Sequence, residues 1–408
     1  MPKAFFFNVP AHGHVNPSLP LVAALARRGH QITYFLTPSF QAGVEAAGAV
    51  LQPYATVHDD YFSGPGLDGS RPQKAADRLI TTAGEILPEL LQAVAAARPD
   101  YILYDGMCPW GYHVARSLHL PAVVSLSLLP LVTPSLREVL AWEMLKILGP
   151  MLLRDAPTGM QAARRARALG SQYGVPPLSL PEILNAPGDL AISYTSRYFQ
   201  PHADRVADTV RFVGWTLQEN PMEAPFPFAQ VGGRRLIYVS LGSLVQAPAA
   251  FFQTCIDAFA GGDEFVLIST GRRFGAEEFG ALPPNVAVRP WVPQAQVLQR
   301  AALFVTHGGL GSVLDGLYCG VPLLVVPQQE EQLLTARRVV ELGAGLLLRK
   351  GDVTVEAVHT HAARLLTEPN FGREAGRIGE TLRTAGGVAQ AVDEIERLLS
   401  ARQNGGKT

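Results

Sequence analysis

A short apolar run that ends on a histidine, turns through glycines and opens into a helix constrains this chain more than any other feature. Residues 303–306 have the length and apolar character of a buried strand, and His307 follows directly. Gly308, Gly309 and Gly311 then permit a turn that side chains would obstruct, and Ser312 falls in the first turn of the next helix. The first N–H groups of such a helix lack internal acceptors and lie at the positive end of its dipole, so the turn suits an anion such as a diphosphate.

A strand that feeds a helix in this way belongs to a parallel sheet, and the rest of the chain supplies its neighbours. In the first half, strands are expected at 4–9, 31–36, 101–104 and 122–126. A helix is expected over 17–28, with Asn16 as its cap, Pro17 at its first position, Leu19, Val22, Leu25 and Ala26 as its apolar stripe and Gly29 as its stop. In the second half, strands are expected at 235–240, 264–269, 286–292, 303–306 and 322–326, with helices at 249–259 and 311–318.

At 408 residues the chain exceeds what one core supports, and proline and glycine interrupt the α/β rhythm over 218–233. The expected architecture is α/β, with two Rossmann-like domains facing across a cleft: 1–217, a linker 218–233, and 234–385. Val388, Val392, Ile395 and Leu399 mark a final amphipathic helix, 386–402, expected to pack back on the first domain. The leucine-rich, proline-punctuated stretch 127–185 reads as an excursion over the ligand cleft.

A formal net charge of −1 argues against nucleic acid or an anionic membrane surface as the principal partner, so any phosphate binding must be local. No apolar run approaches the length of about 20 residues that spans a bilayer, so no stable membrane insertion is expected. Cys108, Cys255 and Cys319 are few, odd in number and far apart, which fits a reducing cytoplasm and offers no zinc-site spacing. No acidic cluster suggests a magnesium cage, and no metal or resident cofactor is expected.

In parallel α/β sheets ligands collect beyond the carboxyl ends of the strands, which directs attention to His14, Asp105, Ser243 and His307. His14 lies in Pro10-Ala-His-Gly-His-Val-Asn-Pro17, just ahead of the expected helix, where the dipole favours a neutral imidazole able to accept a proton. Asp105 ends another strand and is placed to accept that ring's other N–H, or else to cap a helix. His12 reads as structural or cleft-lining.

Together, Pro-x-x-Gly-His-x-x-Pro around His14 and the array from Trp291-Val-Pro-Gln to His307-Gly-Gly-Leu-Gly-Ser resemble the family 1 UDP-glycosyltransferases of GT-B fold, the bacterial macrolide and flavonoid glucosyltransferases above all. The resemblance implies His14 as catalytic base and Asp105 as its assistant. It implies that Trp291 stacks on uracil, that the Val292 amide reads the base edge, and that Gln294 meets the ribose. Ser243, His307, Gly308, Gly309 and Ser312 would cradle the diphosphate, while Gly311 stands where plant relatives carry asparagine. Asp315 occupies the place of a ribose-binding glutamate and is one methylene shorter; Glu331 and Gln332 would hold the sugar hydroxyls. The implied reaction is inverting transfer of a hexose, glucose from UDP-glucose, to a hydroxyl of a small hydrophobic acceptor, with a dTDP-deoxysugar donor or a non-catalytic binding protein as alternatives. Phe62, Met107, Trp110, Leu129 and Trp142 are candidate acceptor-wall residues, each of which core packing would equally explain.

Two other enzyme classes fit less well. No first-strand turn supplies Gly-x-Gly-x-x-Gly with an acidic ribose ligand, and Leu241-Gly-Ser243-Leu-Val lacks the second glycine of a hydrolase nucleophile turn.

Overall fold

The computed structural model describes residues 1–61, 71–130, 132, 154–218, 226–242, 248–271 and 274–405. The chain divides into two compact units, Met1–Gly214 with Ala385–Thr408, and Trp215–Thr384. Each is built on one parallel sheet.

The first unit's sheet comprises β1 (Lys3–Phe7), β2 (Gln31–Leu36), β3 (Val50–Pro53), β4 (Tyr101–Asp105), β5 (Ala122–Leu126), β6 (Leu190–Ser193) and β7 (Val210–Phe212), in the order β3-β2-β1-β4-β5-β6-β7. The second unit's sheet comprises β8 (Leu236–Ser240), β9 (Phe265–Ser269), β10 (Val286–Arg289), β11 (Ala301–Thr306), β12 (Leu323–Val325) and β13 (Gly345–Leu347), in the order β10-β9-β8-β11-β12-β13. Strands covered on both faces read as continuous apolar runs rather than alternating ones, and every residue of β4, β5, β6, β8 and β9 is buried.

The first helix, His12–Arg27, begins more than one residue turn ahead of the expected start at Pro17, which corrects the reading of Asn16 as its cap. Backbone bonds from His14 and Val15 to the Ala11 carbonyl close its first turn, while Asn16 is exposed inside the helix. A buried polar network secures this end. Asn8 donates to the Tyr34 hydroxyl at 2.7 Å, and Ser18 lies 2.7 Å from the same hydroxyl while donating to the Val15 carbonyl. Removing either partner would strand polar groups in the core, so the helix start is tied to β1 and β2. Gly29, at φ +87°, ends the helix.

The long helix Pro72–Ala97 was not anticipated, and by length and composition it could cross a bilayer. Its Leu79, Ile80, Ile86, Leu87 and Leu90 are nevertheless buried in the first unit's core, where it packs on helix Ala156–Tyr173. The closing helix, Gly387–Gly405, lies against His12–Arg27. Arg28 pairs there with Asp393 and Glu396, and Arg402 reaches Asp189 at 3.1 Å.

In the second unit β10 stops at Arg289 rather than at 292, because Pro290 and Pro293 remove ladder donors. That early stop leaves Trp291 outside the sheet and 47% exposed. The segment 226–233 is folded, with Phe226 buried and Arg300 stacked over the Phe228 ring; residues 219–225 lie outside the described residues.

Helix Pro109–Ser117 approaches β4 closely because Gly111 faces Tyr104, where an added Cβ would come within 2.4 Å of the tyrosine Cβ. Gly111→Ala should therefore destabilise the first unit by about 1–3 kcal/mol, overpacking outweighing the gain of about 1 kcal/mol in helix propensity. Urea denaturation measures it; an equal or higher midpoint would contradict the packing argument.

Candidate active site

In the first sheet β1 lies between β2 and β4, so the connections leaving β1 and β4 diverge and leave a crevice at their carboxyl ends. His14 stands in the first turn of the helix after β1, and Asp105 is the last residue of β4. Because the two strands are neighbours, the side chains meet: His14 Nδ1 lies 2.9 Å from Asp105 Oδ1. The Met107 backbone N–H donates to the same oxygen at 2.8 Å. Asp105 is wholly buried, while the His14 side chain keeps 14% of its surface exposed.

A third group joins them that the sequence reading did not single out. Ser127 Oγ donates to Asp105 Oδ2 at 2.8 Å and lies 2.7 Å from His14 Nδ1. Its position just past the end of β5, the strand next to β4, was the signal available. His12 takes no part in this cluster; its exposed ring packs against Phe40 with centroids 4.8 Å apart.

Of the expected acceptor-wall residues, Trp110 is a core residue instead: it is fully buried and its indole donates to the Tyr54 hydroxyl at 3.2 Å. The cause is the helix Pro109–Ser117, which turns its buried face onto β4. Met107 and Leu129 are half-buried, and Met107 packs against the core. Phe62 and Trp142 lie outside the described residues.

The second sheet repeats the geometry at β8 and β11, where its order reverses. Gly242 follows β8 and His307 follows β11, and the two touch: a Cβ on Gly242, at φ +77°, would sit 2.8 Å from His307 Cε1. A Cβ on Gly309 would come within 2.5 Å of His307 Nε2. A Cβ on Gly308, at φ +89°, would meet Val325 Cγ1 at 2.7 Å. Those glycines are thus required by the enclosure of the imidazole and the turn beside it. Ser243 lies outside the described residues.

Gly309 caps the helix Leu310–Tyr318, with Ser312 at its third position, so the N–H groups of 310–312 have no acceptor within the helix. His307 Nδ1 is buried with no hydrogen-bond partner among the described residues. Burial lowers the His307 pKa to about 4, so the ring is neutral at physiological pH.

Asp315, on the same helix, is held from two sides. Trp215 Nε1 donates to Oδ1 at 2.7 Å and Gln294 Nε2 donates to Oδ2 at 2.8 Å. Burial nevertheless prevails over both bonds and raises the Asp315 pKa to about 6. Trp215 was not anticipated; only its place after the buried Val213 and Gly214 hinted at it. Val292 is buried beside exposed Trp291. The Gln332 carboxamide caps the helix Glu330–Glu341, accepting from the Gln328 N–H at 2.9 Å and donating to Gln329 at 3.0 Å. The Glu331 side chain lies outside what is described.

Among the described residues no group of three or more His, Cys, Asp or Glu side chains is placed to hold a metal ion.

His307 and Asp315 bias stability in opposite directions. The histidine's folded pKa lies below its ordinary 6.5, so stability is lost as pH falls from about 6.5 towards 4. The aspartate's lies above its ordinary 3.8, so stability is lost as pH rises from about 4 through 6. Asp315→Asn keeps one acceptor oxygen and loses the other hydrogen bond, yet its deficit relative to the parent should shrink as pH climbs from 4 to 6.5. Denaturant midpoints at both ends of that range test this, and a constant or growing deficit would refute it.

Residues 254–396 match the family model for the C-terminal domain of erythromycin biosynthesis protein CIII-like proteins. Over its whole length the chain is similar to the oleandomycin glycosyltransferase of Streptomyces antibioticus, at 32% identity with 97% of this chain and 90% of that protein covered. It is also similar to the demethyllactenocin mycarosyltransferase of Streptomyces fradiae, at 31% identity over 97% of this chain and 86% of that one. The solved structure of the kitacinnamycin glycotransferase superposes with a TM-score of 0.84 at 31% identity, covering 98% of this chain and 99% of that chain.

Proposed function

Because this chain belongs to the GT-B glycosyltransferases related to the bacterial macrolide- and antibiotic-modifying enzymes, we propose that it moves a sugar, with inversion, from a nucleoside diphosphate to a hydroxyl of a small apolar natural-product acceptor. The observation that carries the mechanism is the hold of buried Asp105 on His14 Nδ1. With Nδ1 so engaged, Nε2 is the nitrogen that takes a proton. As the acceptor oxygen attacks the anomeric carbon, its proton passes to His14 Nε2, and Asp105 stabilises the imidazolium that forms. The bond from the anomeric carbon to the diphosphate oxygen breaks on the opposite side. The leaving nucleoside diphosphate takes up that electron pair, and the N–H groups opening helix Leu310–Tyr318 stabilise its charge, with His307, whose Nδ1 has no partner among the described residues, beside them.

Exposed Trp291 offers a face on which the nucleobase can stack. The donor we favour is a dTDP-activated deoxysugar, with UDP-glucose as the competing donor. The supporting observation is Asp315: both its carboxylate oxygens already accept hydrogen bonds from within the protein, which suits a deoxyribose that presents one hydroxyl fewer.

His14→Ala should retain nucleoside diphosphate binding while losing about 10²–10⁴-fold in transfer rate. Undiminished turnover at neutral pH would remove His14 from the role of base. His307→Ala should weaken nucleoside diphosphate binding, read by calorimetry, and an unchanged dissociation constant would remove it from the diphosphate site.

For the donor, kcat/KM with dTDP-glucose should exceed that with UDP-glucose for one acceptor, released nucleotide being measured. The reverse order would make the enzyme a UDP-sugar transferase.

A further inference from the structure

We propose that Ser127 is a positioning residue of the transfer reaction, sharing the His14 proton with Asp105 and fixing the ring that takes up the acceptor's proton; this rests on His14 acting as the base. The geometry is a closed triangle. Ser127 Oγ lies 2.7 Å from His14 Nδ1 and 2.8 Å from Asp105 Oδ2, while His14 Nδ1 lies 2.9 Å from Asp105 Oδ1. The hydroxyl proton goes to Asp105, because a carboxylate can only accept, and this leaves an Oγ lone pair facing the Nδ1–H. The imidazole proton is therefore held between two oxygens.

Two consequences follow from this arrangement. The ring is locked in the tautomer that leaves Nε2 as acceptor, since Nδ1 meets an oxygen on either side. The carboxylate is also shared among three donors: His14, the Met107 N–H and the Ser127 hydroxyl. The hydroxyl turns its oxygen to the ring and its hydrogen to the carboxylate, so its bond to Nδ1–H tightens as the imidazolium forms and adds to the stabilisation that Asp105 gives. Ser127 is itself buried and stands at the end of β5, whose register with β4 sets its distance from Asp105. Were it only a filler for Asp105 Oδ2, nothing would require it to lie within hydrogen-bond reach of the imidazole as well.

The test compares Ser127→Ala, Ser127→Thr and His14→Ala in one assay across pH 5 to 9. Ser127→Ala should lower kcat about tenfold with the KM values for donor and acceptor little changed. It should also move the acidic limb of kcat/KM to lower pH, because the imidazolium loses one of its two acceptors and His14 becomes less basic. Ser127→Thr, which keeps the hydroxyl, should restore both the rate and the profile. An unchanged kcat and pH profile in Ser127→Ala, or a change confined to the acceptor KM, would overturn the proposal. Equal loss in the alanine and threonine variants, with donor-nucleotide binding intact, would do the same and assign Ser127 to packing. His14→Ala separates the two readings: full activity there sinks the base, whereas its loss beside an unaffected Ser127→Ala sinks only the serine.

Discussion

Everything chemical in this protein depends on where the two parallel sheets reverse their strand order. At β1 and β4, and again at β8 and β11, neighbouring strands send their connections to opposite sides, and the ends between them are left uncovered. Polar side chains can stand there without breaking a core. His14 and Asp105 meet at the first reversal, and Gly242 and His307 at the second. Residues 91 positions apart are brought to hydrogen-bond distance by strand adjacency alone.

The two histidines are kept in useful states by opposite means. His307 is enclosed, and loss of water rather than any neighbouring charge keeps its ring neutral. His14 keeps part of its surface exposed and is oriented by a buried carboxylate and a hydroxyl. One arrangement suits a group that meets an anion as a dipole, the other a group that must gain and release a proton during a turnover.

The strands of five or more residues in both sheets were legible in the sequence. Residues 122–126 and 249–259 fall at the expected bounds, and β8, β9 and β11 shift by one or two residues, because apolar runs and glycine stops mark them. Four shorter strands, β3, β6, β7 and β13, were missed: Val50–Pro53 is mostly exposed, Leu190–Ser193 spans four residues and the other two span three each, so none carries an apolar run long enough to mark a strand. The helix start at His12 was hidden because its anchors, Asn8, Tyr34 and Ser18, are tertiary. The same limit explains Ser127, Trp215 and Gln332. Their contacts come from partners far away or from a local capping bond, and spacing along the chain reports neither.

The closing helix Gly387–Gly405 belongs to the first unit although residues 215–384 intervene. On a ribosome working at about 5–20 residues per second, the first sheet would be complete many seconds before the helix that covers His12–Arg27 emerges. During that interval Arg28 and His30 have no Glu396 to meet, and the face of His12–Arg27 that the closing helix covers stays wet. Completion of the first unit therefore waits on a helix made after the whole of the second unit.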